Sequence, residues 1–195
     1  MKNILEKTPL IFLIIILFYI SLLLGFFFNE NSSFGALWDF NHHIKTVIKI
    51  NPDIIGSLYS YDKLNNDHSP LFILSLLYSE KIFGNIELVR FIYIHLALLV
   101  PFLFYLCLKE IFIKEKKKYL VLIACLPFLS PYFRSLAIWP GSEIISLIFL
   151  LLSILNFVKF EKDKSKNFKY VFLNIFFLAL SAYYRPILSL FSIYF

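Results

Sequence analysis

The feature that most limits what this chain can fold into is the uninterrupted apolar run over residues 8–28, TPLIFLIIILFYISLLLGFFF. A helix of about 20 residues crosses the hydrocarbon core of a bilayer, and this run is long enough. A secretory signal has a shorter apolar stretch, about 7–15 residues, followed by a small-residue cleavage site. The run therefore reads as a retained span. Similar runs recur over 88–108, 119–138, 142–158 and 170–195. Composition agrees: 59% of residues are hydrophobic and 16% charged, where soluble domains average about 45–50% and 25%. The expected fold class is an all-α integral membrane protein, one membrane domain with about five transmembrane helices.

The net charge of +6 would suit nucleic acid, but the position of the lysines argues against that partner. They cluster in KEIFIKEKKK (109–118) and VKFEKDKSKNFK (158–169), at the ends of apolar runs, where the positive-inside rule expects them. That orientation puts the N-terminus on the cytoplasmic side of a plasma membrane of the bacterial inner type, with residues 29–87 extracytoplasmic. Cys107 and Cys125 lie inside apolar runs, match no metal or redox spacing, and read as packing residues. Pro127 and Pro131 are expected to kink the third span.

Residues 38–71 form the long polar exception, and hold three of the four histidines. Two short helices are expected in the outer loop. Over 38–50, Phe40, Ile44, Val47 and Ile48 fall on one helical face, with Asn41, His42, Lys45, Thr46 and Lys49 opposite. Such a helix is too short to span and suits the interface, apolar side down. Over 69–83, Ser69 suits the cap, Pro70 the first helical position and Gly84 the exit. This second helix is expected half-sunk in the outer leaflet.

Asp39 stands near the start of the first short helix, next to Trp38. A carboxylate there can act as general base, or bind a metal that neutralises a phosphate leaving group; the plain alternative is an acid favoured by the helix dipole. His42 and His43 point about 100° apart on a helix and do not readily share one metal. Asp67-His68 precedes a helix start that favours anions. Arg90 and His95 fall in the outer half of the second span, and Arg134 in a tight outer turn close to Glu143, with which it can pair. Arg185 lies within an apolar run, where a charge costs about 2.5–3.5 kcal/mol on insertion scales and usually faces a cavity or a charged group.

The order of these pieces resembles the N-terminal part of GT-C glycosyltransferases, especially the dolichyl-phosphate-mannose protein mannosyltransferase and aminoarabinose transferase type. The matching residues are Asp39, His68-Ser69-Pro70-Leu71, Gly84 and Glu87-Leu88-Val89-Arg90, with Glu143 opening the fourth span and Arg185 further on. The family usually shows two adjacent acids in the first loop, whereas Asp39 is followed by Phe40. It also has more spans, and a chain that stops at FSIYF without a polar flank reads as an N-terminal fragment. The resemblance implies transfer of a sugar from a polyprenyl-phosphate donor to a lipid, glycan or protein acceptor. It assigns the catalytic base to Asp39 and the binding of donor phosphate or substrate to His68, Arg90, Arg134, Glu143 and Arg185. A divalent metal ion is the one cofactor it leaves open, with Asp39, His68 and Glu143 as candidate ligands. The alternative is a non-enzymatic multi-spanning protein, a transporter or a surface-polysaccharide assembly component.

Overall fold

The computed structural model describes residues 8–33, 35–64, 68–163 and 165–193, and all regular structure among them is helical. Asp67 falls outside the described residues. Ten α-helices follow in order: α1 (Thr8–Phe27), α2 (Gly35–Ile50), α3 (Ile54–Tyr59), α4 (Pro70–Phe83), α5 (Ile86–Ala97), α6 (Leu99–Ile111), α7 (Lys117–Ala124), α8 (Pro131–Ile138), α9 (Ser142–Lys162) and α10 (Phe168–Tyr184). Short 3-10 turns occupy Tyr61–Leu64, Leu126–Leu129 and Pro186–Ile193.

Among the described residues, two helices are long and apolar enough to cross a membrane: Ile86–Ile111, which joins α5 and α6, and Ser142–Lys162. A third is added if Lys117–Leu129 and Pro131–Ile138, bent by 71°, count as one span. Exposed apolar side chains lie on α1, α5–α6, α7 and α10: Phe12, Leu17, Phe102, Leu122, Phe172 and Ile175 are all exposed. So many bare apolar side chains suit lipid rather than water.

The differences from five uniform spans have local causes. Pro101 has no N–H for the carbonyl of Ala97, so the hydrogen-bond ladder of Ile86–Ile111 lapses at Leu98, which keeps helical backbone (φ −65°, ψ −20°). Pro127 sits in a 3-10 turn, and Pro131 opens a new helix capped by Ser130 Oγ, which accepts from Phe133 N at 3.3 Å. Within the apolar run over 170–195 the α-helix ends at Tyr184, and a 3-10 segment follows over Pro186–Ile193. Pro186 pushes Arg185 out of the helical region, to φ −139° and ψ 99°. Arg185 thus caps a helix end instead of lying in the middle of a span.

Antiparallel packing sorts charge to the two ends of the bundle. At one end Lys162 of α9 meets Glu110 of α6 at 3.5 Å; at the other Arg185 pairs with Glu143. Between them, polar side chains pin α9 to α10. Ser181 Oγ donates to the Ser146 carbonyl at 2.8 Å, and Asn174 Nδ2 donates to Ser153 O and Oγ at 3.0 and 2.9 Å. Tyr19 and His95 tie α1 to α5: His95 Nδ1 lies 2.8 Å from the Phe91 carbonyl, so Nε2 accepts from the Tyr19 hydroxyl at 2.8 Å.

The polar segment is folded onto this bundle. Ser69 caps α4 and Gly84 ends it at φ +66°, a left-handed position where glycine carries no Cβ penalty. The apolar side of α4 (Phe72, Ile73, Leu76, Leu77) packs with Val47 and Ile50 of α2, Val89 of α5 and Tyr184 of α10. Both short helices therefore turn their apolar sides to protein. The buried face of α2 also differs from the expected one. The helix begins at Gly35, Ala36, Phe40, His43, Thr46, Val47 and Ile50 are buried, and Ile48 is exposed. Starting the stripe at Ala36 turns the helix so that a histidine and a threonine enter the interface.

Candidate functional site

The charged residues at the loop end converge where α9 begins and α10 stops. Glu143 lies in the first turn of α9 and Arg185 is the C-cap residue just past α10. The helix dipoles favour an anion at the first place and a cation at the second. They form an ion pair with side-chain exposures of 13% for Glu143 and 35% for Arg185. Tyr132, at the start of α8, donates to Glu143 Oε1 at 3.4 Å. The turn below is held by Tyr93, whose hydroxyl donates to the Gly141 carbonyl. A Cβ at Gly141 would stand 2.5 Å from Glu143 Oε2 and 2.8 Å from Leu136 Cδ2, so both side-chain ends would have to shift.

The outer-loop helices supply the other wall. Ser142 Oγ lies 3.4 Å from His68 Nδ1, and the His68 carbonyl accepts from Tyr61 Oη at 2.8 Å. Burial, and secondarily Tyr183, pushes the Tyr61 hydroxyl up to about 12, so it remains a donor. Ser75 of α4 hydrogen-bonds Tyr184 beside Arg185 at 3.0 Å. His43 of α2 meets the His68 ring edge-on at a centroid separation of 4.3 Å, with Phe72 at 5.0 Å. His43 is 1% exposed, and neither ring nitrogen has a hydrogen-bond partner among the described residues. Burial lowers its pKa to about 3, helped by the charges of His68, His42 and Arg185. A neutral, unsatisfied imidazole beside an ion pair is costly; an unpaired buried donor or acceptor costs about 1–3 kcal/mol.

Asp39 stands one turn before His43, about 40° from it around α2, within the inward arc. It is half-buried, forms no ion pair with a described residue, and lies beyond the first turn of its helix. The dipole explanation for this acid therefore does not apply.

Two of the three expected arginines are elsewhere. Arg90 is 2% exposed and lies 3.7 Å above the Trp139 ring. It donates to Glu87, the Ile138 carbonyl and Asn29. Arg134 donates to Glu30 Oε1 at 2.9 Å and Ser21 Oγ at 3.1 Å, and does not pair with Glu143. That hydrogen bond holds the Glu30 carboxyl below its usual range against the opposing effect of burial. Gly25 makes room for this pair, since a Cβ there would stand 2.4 Å from Glu30 Oε2. Arg90 and Arg134 thus brace the end of α1 against α5 and α8. The structure gathers Glu143, Arg185 and His68, with Asp39 on the facing helix.

Sequence reasoning missed His43, Tyr132 and the role of Gly141. For His43 a signal existed: the stripe Ala36, Phe40, Val47, Ile50 has His43 near its centre. No group of three or more His, Cys, Asp or Glu is placed to hold a metal ion among the described residues. Comparison of the chain with family models, curated proteins and solved structures finds no match.

Proposed function

We propose that the chain belongs to a membrane glycosyltransferase that moves a sugar from a polyprenyl-phosphate donor to a lipid, glycan or protein acceptor at the extracytoplasmic face. In this reading α1, α5–α6, α7–α8, α9 and α10 are five passages through a plasma membrane. The lysine end is cytoplasmic, and α2–α4 form a cap over the opposite face. The observation that carries the reading is the Glu143–Arg185 pair, set at the loop end of the apolar helices beside His68. A lipid-linked phosphate presents its charge at that depth, and a partly exposed guanidinium can bind it with two parallel hydrogen bonds.

The chemistry follows from these placements. Glu143 holds Arg185 in the resting site, and the donor phosphate takes over one or both of its hydrogen bonds. The acceptor oxygen attacks the anomeric carbon, the carbon–oxygen bond to phosphate breaks, and the polyprenyl phosphate leaves with the electron pair. Arg185 stabilises the charge that develops on the leaving group. Asp39, facing inward one turn before His43, takes the acceptor proton.

Transfer of a radiolabelled hexose from a polyprenyl-phosphate donor, in membranes holding the full chain, tests the reading. Asp39→Asn is expected to abolish transfer without lowering the amount of protein in the membrane, and Arg185→Ala to weaken donor binding. Transfer that persists in Asp39→Asn removes Asp39 as the base. Absence of any transfer by the native chain, with Arg185→Ala indifferent to the donor, favours the non-enzymatic alternative.

A further inference from the structure

We infer that the lysine end of the bundle is a binding surface for the headgroups of anionic phospholipids. Segments 109–118 and 159–169 hold ten of the nineteen basic residues and four of the thirteen acidic ones, which leaves the rest of the chain neutral. The entire +6 therefore resides in two short segments, each a loop with the helix ends that flank it. Those segments are 40 and more residues apart in sequence, yet the Lys162–Glu110 pair at 3.5 Å sets them side by side.

The surface is not internally neutralised. Lys114, Lys116 and Lys117 are exposed and make no ion pair among the described residues. Lys117 and Lys118 occupy the first turn of α7, which carries no acid, where the helix dipole disfavours cations. Apolar side chains stand among them in the open: Ile113 is 75% exposed, Phe112 48% and Phe168 80%. Ammonium groups alone would suit any polyanion in water. Lysines interleaved with bare isoleucine and phenylalanine, at the ends of α6 and α9, suit the boundary between headgroup and hydrocarbon. There the apolar groups enter the acyl region and the ammonium groups meet phosphate. The inference rests on α5–α6 and α9 lying in a bilayer and is independent of glycosyl transfer.

The full chain in neutral detergent, titrated with phosphatidylglycerol, phosphatidylcholine or inorganic phosphate at matched ionic strength, tests it through the thermal unfolding midpoint. Phosphatidylglycerol is expected to raise the midpoint in a salt-sensitive way, and the other two to leave it nearly unchanged. Each exposed lysine is worth about a fivefold change in apparent affinity, so Lys114→Gln, Lys116→Gln and Lys117→Gln together should weaken the phosphatidylglycerol response about a hundredfold. All three side chains are exposed, so the variant keeps the fold, and its unchanged midpoint without lipid checks this. Equal stabilisation by phosphatidylcholine, reproduction of the effect by phosphate alone, or an undiminished response in the triple variant would each overturn the inference.

Discussion

Acidification should loosen the outer cap through one residue. In the closed structure, burial and the neighbouring His68, His42 and Arg185 hold His43 down to about 3 from 6.5, so the ring stays neutral in mild acid. When α2 lifts from α4, the ring returns to its ordinary value. Below pH 6.5 the opened state then binds more protons than the closed one, and stability falls with pH until the loss levels off near 3. Between pH 7 and pH 5 the loss is about 2 kcal/mol, since about 1.4 units at 1.36 kcal/mol each separate the two states. That corresponds to a roughly 25-fold rise in the opened population. Amide hydrogen exchange of α2 in micelles measures it, with native chain and His43→Phe compared at the same pH so that intrinsic exchange rates cancel. Every other group that responds to pH is common to both proteins, which leaves His43 as the difference. Phe keeps an aromatic ring beside Phe72 and removes both ring nitrogens, so the variant should be protected at least as well at pH 7 and distinctly better at pH 5. A native-to-variant ratio that does not change between the two pH values would refute the reasoning.

Two further outcomes follow from the geometry of the site. Gly141→Ala should cost about 1–3 kcal/mol in a denaturant titration, because its Cβ displaces the Glu143 carboxylate and Leu136. Arg185→Ala should destabilise by about 1–3 kcal/mol by leaving the mostly buried Glu143 unpaired. Adding Glu143→Gln should recover part of that loss, and a double-mutant cycle without coupling would show that the pair does not hold α9 to α10.

Some of the fold and site could be read from residue order alone, and some could not. The start and stop of α4 were legible because caps are local: Ser69, Pro70 and Gly84 act within a turn of their own position. The break at Pro127 and Pro131 was legible for the same reason. The end of α10 at Tyr184 could also have been read from Arg185-Pro186, but the surrounding apolar residues favoured a continuous span. Glu143 and Arg185 were each visible as charges in apolar surroundings. Their pairing was not, since it depends on α9 and α10 running antiparallel over their full length. Nor could the sequence separate Arg185 from Arg90 and Arg134. Each is an arginine near the same end, and only partners distant in the chain, Trp139 with Asn29 and Glu30 with Ser21, occupy the other two.

By itself the sequence determined the helical, membrane-suited character of the chain, the place of its lysines and the bounds of its capped helices. These follow from hydropathy and from interactions spanning a few residues. Tertiary structure alone decided which side of α2 is buried, that His43 lies unpartnered against His68, and which arginine stands at the site. Those outcomes depend on the rotation and packing of whole helices, and a helical stripe of mixed residues permits several rotations until its neighbours select one.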